Sequence, residues 1–412
     1  MQVDESSIPS LGTDFATSNN VNLKSHAARN LPKWTEDYFA WHARTRKSLN
    51  PENWDATKYL ILGCFESFKS CGGISDRLKP LPMVLLEAHR HQRLVLIWWE
   101  RPKALEAFLV PPLDGGLDWR VPDWLKAKLN QEFKGQPKRV TASNFEQGKA
   151  LLQGGSHLPA VIFRIQTPSA GEDAFAEELK KGSQQSQKPS NDPSELRVPR
   201  DGSTYGTVFH GLFRRFFQPV PRIQRLLDQR IKEQHMIPGE YTAVHLRAMY
   251  GKRDQRDSQE IIDLAVLGLN CGSSLYPGHP VYFASDTAAA VDAAQMYATM
   301  HNLPVVTPNH GDESMFAHNK TNPIHFDKDP DWTTRDAAAY DSTFVDLYML
   351  AQSRCVAYSN GGYGTFGSLL SYESECKMRF FKGSKKVKNC AWMPANEQQQ
   401  SLAAPNATLV MV

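Results

Sequence analysis

The segment Tyr241-Thr242-Ala243-Val244-His245-Leu246-Arg247 decides the fold. Residues 241–246 read as a buried strand. Period-two alternation puts His245 and Arg247 on the same side of it. Downstream, the apolar pattern predicts a helix from Ile261 to Leu269, a strand from Val281 to Ala284 and a helix from Thr287 to Met300. A strand from Pro304 to Thr307 and a helix from Thr343 to Gln352 follow. A last strand, Cys355 to Tyr358, ends at Ser359-Asn360-Gly361-Gly362. Short apolar strands alternating with helices specify a doubly wound parallel sheet.

Upstream the same alternation occurs once more. Tyr59 to Leu62 reads as a strand, running through Gly63 into a loop from Ser70 to Leu78. Met83 to Arg90 has helical spacing, and Arg93 to Trp98 and Ala160 to Phe163 read as strands. Pro111 to Trp124 reads as irregular and Gly211 to Ile231 as an amphipathic run. A little helix is expected near Trp34–Arg46. Lys180 to Asp201 has almost nothing to bury and reads as an exposed linker. The expected organisation is an N-terminal arm (1–54), a Rossmann-like half (55–215), a second Rossmann-like half (216–385) and a tail (386–412). The fold class is α/β, with two facing Rossmann-like domains and a cleft between them.

Composition narrows the function. Of 412 residues, 41% are hydrophobic and 22% charged, which suits globular domains. The 47 Lys and Arg against 44 Asp and Glu leave +3, too little for a nucleic-acid footprint. No apolar run is long enough to span a membrane, and residues 1–20 carry neither the basic nor the apolar part of a signal peptide. The six cysteines lack zinc spacing. Three bridges in an oxidising compartment and buried free thiols are both compatible with them. The sequons at Asn319 and Asn406 would carry glycans only in a secreted chain.

Four groups carry chemistry, and all four fall beyond the carboxyl ends of strands, where open parallel sheets hold ligands. His245 and Arg247 can face one ligand, Arg247 with a fork suited to phosphate or carboxylate; a surface ion pair beside a core histidine is the plainer alternative. Ser285-Asp286-Thr287 either contributes to that site or caps the next helix. The run Ser359 to Ser368, with Gly361, Gly362, Gly364 and Gly367, lets backbone amides approach an anion ahead of a helix expected at Phe366–Ser371. Gly72-Gly73-Ile74-Ser75-Asp76-Arg77 is either a matching loop in the other half or a tight turn. Asp329-Pro330-Asp331 has the two-carboxylate pattern of a metal–diphosphate site but reads as a solvated loop. No metal site is expected. Gly-x-Ser-x-Gly and His-Glu-x-x-His are absent, which removes the simplest hydrolases.

In order and spacing, these groups resemble the fucosyltransferase superfamily with two Rossmann-like halves (GT-B), which includes the protein O-fucosyltransferases and the α1,6-fucosyltransferases. The matched motifs are Gly72-Gly73 with Asp76-Arg77, the strand ending His245-Leu246-Arg247, Val281 to Asp286, and the Asp346-bearing helix followed by the turn 359–368. Ala248 stands where core α1,6 enzymes have a second arginine, and Gly361-Gly362 where some members have Ser-Ser.

The resemblance implies an inverting, metal-independent glycosyltransferase with no required cofactor, moving fucose from GDP-fucose to a protein or glycan acceptor. It implies Arg247 as the catalytic residue. The donor site would comprise His245, Arg247, Asp286, Asp346, Gly361, Gly362, Tyr363, Gly364, Thr365 and Phe366, closed by Gly72 and Gly73. Asp76 and Asp254 are the candidate bases on chemistry alone. The resemblance further implies the Golgi or endoplasmic reticulum lumen; the absence of a visible leader leaves the cytoplasm open. A non-catalytic nucleotide-sugar or glycan-binding protein, or a transferase for another nucleotide sugar, are the rival readings.

Overall fold

The computed structural model describes residues 31, 33–68, 71–113, 115–130, 139–142, 145–154, 159–163, 204–248, 258–307, 326, 329–382 and 385–386. The first part of the chain forms α1 (Lys33–Ser48), β1 (Tyr59–Cys64), α2 (Ile74–Leu78), α3 (Leu81–Arg90), β2 (Leu94–Trp99) and β3 (Leu109–Val110). Then come α4 (Asp123–Asn130), β4 (Arg139–Ala142), α5 (Phe145–Gln153), β5 (Ala160–Phe163), α6 (Thr204–Phe216), β6 (Gln218–Pro219) and α7 (Pro221–Glu233). The last part forms β7 (Thr242–Leu246), α8 (Ser258–Leu275), β8 (Val281–Ser285), α9 (Ala288–Met300), β9 (Val305–Val306), α10 (Asp341–Gln352), β10 (Cys355–Tyr358), α11 (Gly362–Leu370) and β11 (Lys377–Arg379).

Two parallel sheets result, ordered β2-β1-β5-β4 and β11-β10-β7-β8-β9. The inner strands β1, β5, β7, β8 and β10 are buried and mostly apolar, as strands covered on both faces must be. Leu60, Leu62, Val95 and Ile97 enter one core cluster, while Tyr59, Ile61, Leu94 and Leu96 enter another. The first cluster continues through Tyr241, Ala243, Tyr282, Phe344 and Met349, so one core joins the two halves. The fold is the expected α/β pair of sheets.

In the second sheet β7 is central. Its register pairs Leu246 with Ser285 and His245 with Tyr358. The carboxyl ends of β7, β8 and β10 therefore lie side by side, which brings three of the four motifs together.

Local readings differ in places. Pro219 and Pro221 break the amphipathic run into α6 and α7, because proline supplies no ladder or interior-helix N–H. Trp124 belongs to α4, and Val110 pairs antiparallel with Gln218. The helix predicted at 261–269 runs from Ser258 to Leu275. The free-thiol alternative is corrected: Cys64 is bonded to Cys71 and Cys355 to Cys376, and Cys271 is disulfide-bonded as well. Lys180–Asp201, Asp254, Asn319, Cys390, Asn406 and the tail lie outside the described residues.

Asp329 is also not in a solvated loop. It is buried, paired with Arg335 and accepting a hydrogen bond from Tyr340. Four hydrogen bonds, from Arg335 (two), Tyr340 and the Asp331 amide, tie it to protein groups, so it fits an internal ion pair better than a metal–diphosphate role. Among the described residues no group of three His, Cys, Asp or Glu is placed to hold a metal ion, and no helix is long and apolar enough to cross a membrane.

Candidate active site at the sheet ends

The site is built on the start of α11. The helix expected to begin at Phe366 begins at Gly362, so the glycine run is its first turn and not a loop. Gly361 enters it at φ +95, a conformation that glycine adopts without strain, and supplies no side-chain cap. The first amides of a helix lack intrahelical partners and carry the positive end of its dipole. Thr365 Oγ1 bonds back to the Gly361 carbonyl at 3.3 Å. Phe366 is buried, with its ring packed on Phe209 and Phe213, so its side chain belongs to the core.

Arg247 stands beside this turn. A Cβ on Gly361 would lie 3.5 Å from Arg247 Cγ, in ordinary contact. The arginine is held from two sides: its N–H donates to Ser359 Oγ at 2.7 Å, and its Nε meets Asp286 Oδ2 at 3.1 Å. Asp286 Oδ1 accepts the next amide, Ala248 N–H, at 2.7 Å. Asp286 thus orients the arginine through backbone and side chain at once. The helix-cap alternative fails, since Thr287 is the N-cap position of α9 and makes no side-chain cap.

His245 lies under the same turn, buried, its ring 4.9 Å from that of Tyr363. Burial, with Arg247 nearby, pulls its pKa down to about 3 and keeps it neutral. Among the described residues its Nδ1 has no hydrogen-bond partner, and it would lie 3.1 Å from a Cβ on Gly364. Tyr363 donates to the Thr343 carbonyl at 2.5 Å, pinning α11 to α10. Burial and then the Asp346 charge raise the Tyr363 phenol well above its ordinary value.

Asp346 is buried. Its Oδ1 accepts from Tyr282 at 2.5 Å and meets Arg230 Nη1 at 3.3 Å, and Arg230 also donates to the Tyr282 hydroxyl at 3.1 Å. Sequence reasoning missed Arg230 and Tyr282. Arg230 looks like one more charge on an amphipathic helix, and Tyr282 like one more strand residue.

The other half reaches this turn through α2. Gly72 has φ +75, and Gly73 N–H donates to Asp76 Oδ2 at 3.0 Å, capping the short helix. Across the boundary, a Cβ on Gly362 would lie 2.6 Å from Ser75 Oγ and 3.3 Å from Asp76 Oδ1. The two glycine motifs, far apart in sequence, are therefore in direct contact. An oriented guanidinium, uncapped helix amides and a second glycine turn can together hold and polarise a phosphate or diphosphate.

No protein-family model and no curated protein matches the sequence. Solved structures do. A mutant of Arabidopsis thaliana FUT1 in complex with GDP is similar at 13% identity and TM-score 0.52, over 87% of this chain and 80% of that one. POFUT1 in complex with GDP-fucose matches at 10% identity and TM-score 0.43, over 82% of this chain and 99% of that one. NodZ alpha-1,6-fucosyltransferase soaked with GDP-fucose matches at 16% identity and TM-score 0.42, over 76% and 93%. The two-sheet α/β architecture of this chain is the GT-B fold that it shares with the Arabidopsis protein.

Proposed function

We propose that the chain is an inverting glycosyltransferase that transfers fucose from GDP-fucose to a hydroxyl of a protein or glycan acceptor, without a metal. The observation that carries the reading is Arg247, oriented by Asp286 and Ser359, beside the uncapped start of α11. Its place at the strand ends of a GT-B fold supports a nucleotide-sugar donor. The GDP bound to the Arabidopsis relative belongs to that protein and sets the choice of nucleotide to test here.

In this reading the acceptor hydroxyl attacks the anomeric carbon from the face opposite the diphosphate. The sugar–phosphate bond breaks with its electron pair going to the β-phosphate oxygen, and the hydroxyl proton leaves to a base. Arg247 and the amides of Gly362, Tyr363 and Gly364 stabilise the charge developing on phosphate. His245, Tyr363 and Asp346 form the nucleoside side, and Gly72 and Gly73 close the site from the other half. Asp76 and Asp254 remain the candidates for the base. Folding with bridged cysteines supports an oxidising compartment such as the Golgi or endoplasmic reticulum lumen.

The test is calorimetric titration with GDP, alongside turnover of GDP-fucose, for wild type, Arg247→Lys and Arg247→Ala. Lysine keeps the charge and loses the fork. Both variants should keep the fold and lose roughly 10²–10³ in turnover, with alanine the worse. Unchanged GDP affinity and turnover in Arg247→Ala would overturn the assignment. GDP binding without turnover in wild type would instead favour a binding protein.

A further inference from the structure

Arg77, the last residue of the first glycine motif, is a buried arginine that donates to two backbone carbonyls. Its Nε donates to the Gly72 carbonyl at 2.9 Å and its Nη1 to the Arg101 carbonyl at 2.5 Å. The guanidinium lies over two rings, 4.9 Å from the Trp99 centroid and 4.8 Å from that of Phe326. Those rings are tilted by 65° with centroids 6.1 Å apart, so the cation sits in the corner that they make. Trp99 ends β2 in the first half. Phe326 precedes α10 in the second, and its ring also packs on Phe108, Tyr340 and Phe344.

The turn held this way is fixed at its other end too. Cys71, the residue before Gly72, is bridged to Cys64 at the end of β1. The Arg101 carbonyl that receives Arg77 follows β2, and Glu100 N–H donates to the Cys64 carbonyl at 2.8 Å. Gly72 is thus held between a covalent tie and a charged one, and Gly73 to Asp76 follow directly into contact with Gly362.

We infer that Arg77 is a positioning residue for the nucleotide-sugar site: it sets the Gly72–Gly73 turn against α11, and Phe326 of the opposite half completes its seat. A planar fork can serve two carbonyls and lie on rings at once, whereas an ammonium cannot reproduce that geometry. The consequence for nucleotide rests on the donor-site reading above; the clamp on the turn does not.

The experiment compares wild type, Arg77→Lys and Phe326→Leu in the full chain. It measures thermal unfolding, amide hydrogen exchange of the segment 71–78, GDP affinity, and KM and kcat for GDP-fucose hydrolysis. Arg77→Lys should speed exchange of 71–78 with the core helices still protected, and weaken GDP binding by about tenfold. KM should rise more than kcat falls. Phe326→Leu removes a ring without breaking a hydrogen bond and should give a smaller change of the same kind, which decides the matter if Arg77→Lys does not fold. Exchange of 71–78 at the wild-type rate in a folded Arg77→Lys, or in Phe326→Leu if the lysine variant does not fold, would overturn the inference. So would unchanged GDP affinity beside a wild type that binds GDP. Failure of wild type to bind GDP would sink the nucleotide reading, and the exchange rates would still test the clamp.

Discussion

Replacing Gly364, Gly362 or Gly73 by alanine should give three different outcomes, set by what a Cβ would meet. At Gly364 the new atom would lie 2.7 Å from Tyr358 Cβ and 3.1 Å from His245 Nδ1. Tyr358 Cβ is fixed to the backbone of β10, so no rotamer change relieves the contact; α11 must move off the sheet by several tenths of an ångström. Overpacking of this kind costs about 1–3 kcal/mol, against at most about 1 kcal/mol gained by replacing glycine within a helix. Net destabilisation of about 1–2 kcal/mol should accompany a larger loss of GDP affinity, because the moving element carries the phosphate-facing amides. At Gly362 the obstacle is Ser75 Oγ at 2.6 Å, a hydroxyl, whereas Ser75 Cβ is at 3.5 Å. Gly362→Ala should therefore be destabilising alone and recover in the Ser75→Ala background. At Gly73 the nearest atom is Asp76 Oδ2 at 3.9 Å, so alanine should be nearly neutral. Urea unfolding and GDP titration of the set, including the double mutant, provide the measurement. A Gly364→Ala variant as stable as wild type with unchanged GDP affinity would refute the packing argument, and failure of Ser75→Ala to rescue would refute the contact between the halves.

Asp286→Asn keeps the shape and removes the charge that orients Arg247; turnover of GDP-fucose should fall about tenfold or more with little change in thermal stability, and wild-type kinetics would detach Asp286 from the arginine. Acid should destabilise the fold early, because His42, His210 and His245 have pKa values lowered to about 4, 4 and 3 by burial first of all. Each is neutral when folded but takes up a proton on unfolding below about pH 6.5, so stability is full above that pH and falls as pH drops, by up to about 1.4 kcal/mol per unit per histidine. Urea midpoints that do not change between pH 7 and pH 5 would contradict this. Arg354 pairs with Glu373 at 2.7 Å while about two-fifths exposed and lies over Tyr276; Arg354→Ala should cost under about 1 kcal/mol and leave GDP binding intact.

The sequence revealed the sheet but not the details of the site. Strands such as 94–99 and 355–358 are legible because burial on both faces demands continuous apolar runs. The start of α11 was hidden because glycine is a poor helix former. Its glycines answer to tertiary demands: Gly367 would strike Leu350 Cβ at 2.8 Å, as Gly364 would strike Tyr358. The roles of Arg230 and Arg77 depend on partners contributed by distant elements, which no local pattern encodes. The cysteines were ambiguous for the same reason, since Cys355 and Cys376 meet only once β10 and β11 pair.

That last bridge also marks a border. β11 is the edge of its sheet and only three residues long, two of them basic, and Cys376 directly precedes it. An edge strand offers unpaired backbone to any passing chain, and short length and charge discourage such additions. The disulfide adds a covalent limit: β11 cannot be displaced by an invading strand while its first neighbour is bonded to the start of β10. Oxidation therefore decides not only how firmly this half holds together but where its sheet is allowed to stop growing.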